Sequence, residues 1–183
     1  MKRLLLLAVA AAVFTFPAGT GALADSGARS YDYLLGAGLL CSLDPSACPD
    51  IAQAPNGDTV ELTGSGTLDI HAKSVTGGGA FVHKNAAGAV LASGTWTAEK
   101  LLSFHSYGTQ PGFPSSFEGG QAAIEVTLVD AAGVAVHTGT LWVYCEVSAP
   151  PPAGQGEGVR LDVPGVVNFN KQVSGFTLFI RTA

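Results

Sequence analysis

The groups in this sequence that could do chemistry are four histidines, three cysteines and 14 dispersed carboxylates. Asp69 and His71 lie two apart in a run that alternates polar and apolar residues, so they share one face of a strand. His83 would come near them if the flanking runs form a hairpin around Gly77-Gly78-Gly79. Such a trio has the residue types of a metal site or an acid–base pair. Ile70 and Phe81 are the core residues of the same runs, however, which leaves the three polar side chains as an ordinary solvent face. His105 lies close to Ser103 and Ser106, with Glu99 and Glu118 further off, the types of a Ser–His–acid triad. No G-x-S-x-G elbow or other nucleophile signature accompanies them. Glu61, Glu125 and Glu146 each lie on an expected strand and could pair for glycoside cleavage, but nothing selects a pair. No catalytic residue, metal site or cofactor is therefore assigned. Gly77-Gly78-Gly79 is not a phosphate loop, since neither a helix nor a Lys-Ser/Thr pair follows it.

Aromatic residues offer a different chemistry. Trp96, Phe104, His105, Tyr107 and Trp142 are the candidate ligand-binding side chains, clustered on strands or beside a long Pro/Gly-rich stretch. Flat apolar surfaces with a polar edge suit a small apolar molecule or a sugar ring. Their competing role is plain core packing.

Cys41, Cys48 and Cys145 leave one thiol over when two pair. Cys48 with Cys145 would close a long loop and restrict the unfolded chain by roughly 4–5 kcal/mol. Cys41 with Cys48 would close a small Pro-containing loop and stabilise less. The first pairing is favoured. A catalytic thiol needs a nearby His and an electropositive setting, and Cys145 is followed instead by Glu146.

The elements that must position these groups read as strands. Thr59–Thr63, Leu68–Lys73, Ala122–Val129, Val134–Val147 and Phe176–Arg181 all alternate apolar and polar residues. Asn56-Gly57, Gly64-Ser65-Gly66, the Gly77 triplet, Asn85-Ala86-Ala87-Gly88 and Asp130-Ala131-Ala132-Gly133 punctuate them as tight turns. Short turns between successive strands imply antiparallel neighbours. Residues 108–120 and 149–158 are rich in Pro and Gly and read as long loops. The fold class is all-β: one antiparallel barrel of about eight to ten strands, with a two-sheet sandwich as the alternative.

The N-terminus carries Met1-Lys2-Arg3, an apolar run from Leu4 to Phe16 and Ala22-Leu23-Ala24 before polar Asp25. That is the pattern of a secretory signal, and the run is shorter than the roughly 20 residues of a membrane span. Residues 1–24 are read as a signal peptide, 25–57 as an extension packing on the sheet, and 58–183 as the β domain, in a secreted or periplasmic protein without a membrane span once the signal is removed. Cleavage removes Lys2 and Arg3, leaving seven basic residues against 14 acidic. These seven, Arg29, Lys73, Lys84, Lys100, Arg160, Lys171 and Arg181, are dispersed, which argues against nucleic acid as a partner.

Several stretches resemble an uncharacterised family of exported bacterial all-β proteins. They are Asn56–Leu68, Lys73–Gly79 (with SVTGGG), Ala92–Trp96 (with SGTW), Leu101–Gly108, Gly165–Lys171 (GVVNFNK) and Ser174–Ile180, so the likeness spans most of residues 48–180. It implies an all-β fold and pairing of Cys48 with Cys145, at whose positions family members carry cysteines. It implies no activity, ligand or catalytic residue. The Gly/Thr-rich hairpins are also similar in style to dirigent and allene oxide cyclase barrels, a likeness that assigns no function. The functional expectation is an exported barrel that binds a small apolar molecule or glycan, or serves as an envelope interaction module. The alternatives are a barrel enzyme, of cyclase, isomerase or hydrolase type, and a purely structural secreted protein.

Overall fold

A computed structural model describes residues 29–148 and 152–183, so the signal-peptide reading of residues 1–24 lies outside the described residues. The rest is all-β. Eleven strands form one antiparallel sheet: β1 (Ser30–Leu35), β2 (Asp50–Gln53), β3 (Thr59–Asp69), β4 (Ser74–Lys84), β5 (Val90–Gly108), β6 (Phe117–Asp130), β7 (Ala135–Cys145), β8 (Gly158–Val163), β9 (Val167–Phe169), β10 (Lys171–Ser174) and β11 (Thr177–Arg181). One short helix, α1 (Leu39–Leu43), and a 3₁₀ turn over Pro45–Ala47 link β1 to β2.

Two tight connections are made as their residues require. Asn85 and Asp130 each open an x-Ala-Ala-Gly turn. Asn85 Oδ1 accepts the N–H of Ala87 and Ala89, and Asp130 Oδ1 accepts those of Ala132 and Val134, at 2.9–3.0 Å. Gly88 and Gly133 take the positive φ that each turn needs.

The glycine runs behave differently from the expectation. Gly64-Ser65-Gly66 and Gly77-Gly78-Gly79 are not turns but lie inside β3 and β4, where Gly64 pairs with Gly79 and Gly66 with Gly77. The turn between these strands falls at residues 70–73, where Asp69 Oδ1 accepts the N–H of Ala72 at 2.8 Å. The glycines make room on the sheet for large rings. A Cβ on Gly64 would overlap the Trp96 indole, and one on Gly66 or Gly77 would come within 2.7 Å of Tyr33 Oη. β5 runs for 19 residues and absorbs register shifts at 98/100, 101/103 and 106/108.

The extension expected to pack on the sheet instead enters it. β1 pairs with β3 on one side and β11 on the other, and β2 pairs with β3 and β10. Following the pairings from β1 through β3, β4, β5, β6 and β11 returns to β1, a closed ring of six strands. β3 and β6 each divide their length between partners, so β2 and β10 branch from the ring at β3, and β7, β8 and β9 branch at β6. The core is the inward set of the alternating strands: Tyr31, Tyr33, Leu62, Leu68, Trp96, Ile124, Val126, Leu141, Val143 and Phe179 are all essentially inaccessible. No helix among the described residues is long and apolar enough to cross a membrane.

The expected Cys48–Cys145 bridge is corrected. The helix and 3₁₀ turn fold residues 41–48 back on themselves, bringing the Cα atoms of Cys41 and Cys48 to 5.5 Å, and these two are bonded. Cys145 is a free thiol at the end of β7, fully buried in the core opposite Gly120.

Candidate functional site

The anticipated chemical groups do not assemble. In the β3–β4 pairing Asp69 faces Ser74 while His83 faces Val60, at opposite ends of the strands, so Asp69, His71 and His83 form no cluster. Ser106 Oγ donates directly to Glu118 at 2.7 Å with no imidazole between them. His105 is exposed, its ring 5.5 Å from Tyr107. Glu118 is nearly inaccessible yet satisfied, accepting from Tyr31 Oη at 2.9 Å and pairing with Arg181 at 3.0 Å. It is a structural carboxylate. Glu61 is paired with Lys84 and Glu125 is exposed. Among the described residues no three His, Cys, Asp or Glu side chains are placed to hold a metal ion.

The five candidate binding side chains divide between the two faces of the sheet. Trp96 is buried, its indole N–H donated to the Thr63 carbonyl at 3.1 Å. Phe104 packs inward against Tyr31 and Phe179, at 4.7 and 5.2 Å between ring centres. His105, Tyr107 and Trp142 lie on the opposite face, where His105 pairs across the ladder with Gln121, and Gln121 with Tyr144. Trp142 stacks on Tyr144, over which the Arg160 guanidinium sits at 4.8 Å. The Tyr107 hydroxyl is engaged by Gln121 and Gln155. None of the five lines either of the apolar hollows described next.

The first hollow, about 390 Å³, lies beneath α1, against the starts of β6 and β11. α1 supplies Leu40 and Leu43, the loop before β6 supplies Phe113, and Phe117 and Phe176 complete an apolar wall. Leu43, Phe113 and Phe176 remain 72%, 50% and 46% exposed, an accumulation at the mouth that isolated surface residues do not need to explain. The polar groups on the wall are Asp44, Gln110, Glu146, Glu157 and Thr177.

Glu157 is the best-anchored of these. Its Oε1 accepts the Thr177 N–H at 2.6 Å and the Thr177 hydroxyl at 2.9 Å, and its Oε2 accepts the Glu146 N–H at 2.6 Å. The carboxylate thus ties the end of β7 and the start of β11 to the segment before β8. Burial pushes its pKa up to about 7, with the Glu146 charge adding to the rise and the three donors opposing it. Behind it lies Asp50, fully inaccessible, with neither carboxyl oxygen hydrogen-bonded. Asp50 sits against backbone: a Cβ on Gly175, which has φ +103°, would overlap it, so glycine is required there. Burial first, and then the charge of Glu157, push the Asp50 carboxyl up to about 9, against a weaker opposing pull from the Gly36 N–H. The same surroundings push the Cys145 thiol up to about 12, mainly through burial, so it is inert at neutral pH.

Neither Asp50 nor Glu157 stood out in the sequence. The alternation in Asp50-Ile51-Ala52-Gln53 puts Asp50 on the same face as Ala52, a signal legible only once that segment is known to be a strand. Glu157 follows a Pro/Gly-rich stretch with no periodicity at all.

A second hollow, about 270 Å³, is lined by Phe81, Leu161 and Phe169 among others. On its wall His83 Nε2 lies 3.2 Å from Asp58 Oδ2, the ring edge-on to Phe169. His137 and Asp130 line it too. No family model, curated protein or solved structure matches this chain.

Proposed function

We propose that the protein is an exported antiparallel barrel that binds a small apolar molecule in the hollow beneath α1. The observation that carries this reading is the hollow itself. It falls within the roughly 300–1,000 Å³ range of small-molecule sites, and it has an apolar wall with a few fixed polar groups. The closed ring of six strands supports a barrel as its frame. The Cys41–Cys48 bridge is compatible with an oxidising compartment outside the cytoplasm. A glycan platform at Trp142 is less favoured, because Arg160 covers Tyr144 and the Tyr107 hydroxyl is already engaged.

The second hollow favours a second reading, an enzyme acting on an apolar substrate. An imidazole held by a carboxylate is the arrangement of a general base, and His83 with Asp58 stands at the edge of an apolar space.

One experiment separates the two. The protein is screened by thermal shift against lipids, phenolics and glycans, and the ligands are recovered and weighed by mass spectrometry. A binder is stabilised by apolar ligands that return unchanged, and the stabilisation shrinks in Phe113→Ser. No stabilisation across the panel defeats the binding reading. Conversion of a ligand, lost in His83→Asn, moves the function to the second hollow.

A further inference from the structure

The charged groups around the first hollow have one sign. Among its described lining residues none is Lys, Arg or His, while Asp44, Glu146 and Glu157 are all carboxylates. The hydroxyl of Thr177 is already donated, lying 2.6 Å from the Tyr144 carbonyl and 2.9 Å from Glu157 Oε1. Asp44 sits at the rim with its Oδ1 accepting from the Ser46 N–H and hydroxyl, at 2.8 and 2.7 Å. Gln110 alone offers a free-standing amide donor. A carboxylate has about four acceptor positions. Glu157 uses at most two on Oε1, where the single Thr177 hydroxyl proton is shared with the Tyr144 carbonyl, and one on Oε2, so a position on Oε2 stays open.

A ligand whose polar end is an acid would bring a like charge into a partly dehydrated site with almost nothing to donate to it. A ligand ending in an ammonium would meet the reverse. It donates three hydrogen bonds and accepts none, and a charge-assisted N–H···O bond in such surroundings outweighs a neutral one.

We propose that the hollow is selective for amphiphilic amines, with a single apolar chain lying against Leu40, Leu43, Phe113 and Phe176 and an ammonium head bound to Glu157. This inference rests on the ligand-binding reading of the same hollow and adds the class of ligand. It also gives the exposed mouth a purpose: Leu43, Phe113 and Phe176 cover the part of the chain that the interior cannot.

Isothermal titration of the full chain at pH 8 with octylammonium, octanol and octanoate tests it. At that pH the amine is charged and Glu157 is mostly ionised. Octylammonium should bind at least about tenfold more tightly than octanoate, with octanol between them. Glu157→Gln should weaken the amine about tenfold and leave octanol unchanged. Because Glu157 also ties three segments together, a second variant avoids the question of folding: Leu43 is 72% exposed, and Leu43→Lys places a positive charge at the mouth. It should weaken octylammonium and strengthen octanoate. Binding of none of the three overturns the binding reading itself. Equal binding of all three, or tightest binding of octanoate, overturns the head-group assignment and leaves the apolar hollow standing. An unchanged ratio of octylammonium to octanoate affinity in Leu43→Lys, or unchanged amine affinity in a folded Glu157→Gln, also overturns it.

Discussion

Two buried carboxyls, Glu118 and Asp50, show what partners do to a charge. Glu118 has Tyr31, Ser106 and Arg181 around it. Asp50 has glycine backbone and a neighbouring Glu157. The sign of the resulting pH dependence follows. Asp50 is held at about 9 and Glu157 at about 7 in the folded chain, against 3.8 and 4.5 ordinarily. Between about pH 4 and pH 9 the folded state therefore keeps protons that the unfolded chain releases, and stability falls as pH rises through that window. The groups facing Glu157 at this spot are Asp50, Glu146 and Cys145, none of them cationic, so nothing there reverses the sign. Asp50→Asn should flatten the decline, which for one proton approaches about 1.4 kcal/mol per pH unit. Urea denaturation at pH 5, 7 and 9 reads it. An equal slope in the variant would mean that Asp50 is ionised in the folded protein.

At the scale of elements, β3 and β4 depend on glycines facing each other across the ladder. Gly66 is crowded by the Thr76 carbonyl, the Gly77 Cα and the Tyr33 hydroxyl, so any side chain there pushes the strands apart. Gly88 has a positive φ of 84° but open space around it. Gly66→Ala should cost about 3 kcal/mol or more, an overpacking effect, whereas Gly88→Ala should cost about 1–2 kcal/mol of backbone strain. Chemical denaturation of the two variants checks the ranking. Parity between them would show that the β3–β4 ladder relaxes freely. The strand pattern was legible because alternation needs only local residue types. The glycine runs were misleading because Gly does two jobs, allowing turns and allowing close approach, and only the neighbour decides which. Trp96 and Tyr33 are those neighbours, and Tyr33 is more than 30 positions away from Gly66 in the chain.

At the scale of the molecule, β1 is the strand that closes the ring. It lies between β3 and β11 and contributes Tyr31, Tyr33 and Leu35 to the core. A chain starting at residue 37 should leave both neighbours with open edges and fail to fold cooperatively, whereas one starting at residue 29 should melt in a single transition. Differential scanning calorimetry distinguishes them. A cooperative transition in the shorter chain would show that the ring is dispensable.

Alternating side chains were enough to determine an antiparallel all-β chain with a substantial core, because burying one face of a strand is a local demand written in neighbouring residues. The Asx–Ala–Ala–Gly turns were determined in the same way, each by hydrogen bonds across five residues or fewer. Which cysteines meet, which strand closes the ring and which carboxylates lose their water were decided only by the tertiary structure. Burial and pairing depend on what the rest of the chain brings to the same place. Asp50 is an unremarkable aspartate in its own sequence neighbourhood, and it becomes a strained buried acid only when Gly36, Gly158, Gly175 and Glu157 converge on it from distant segments.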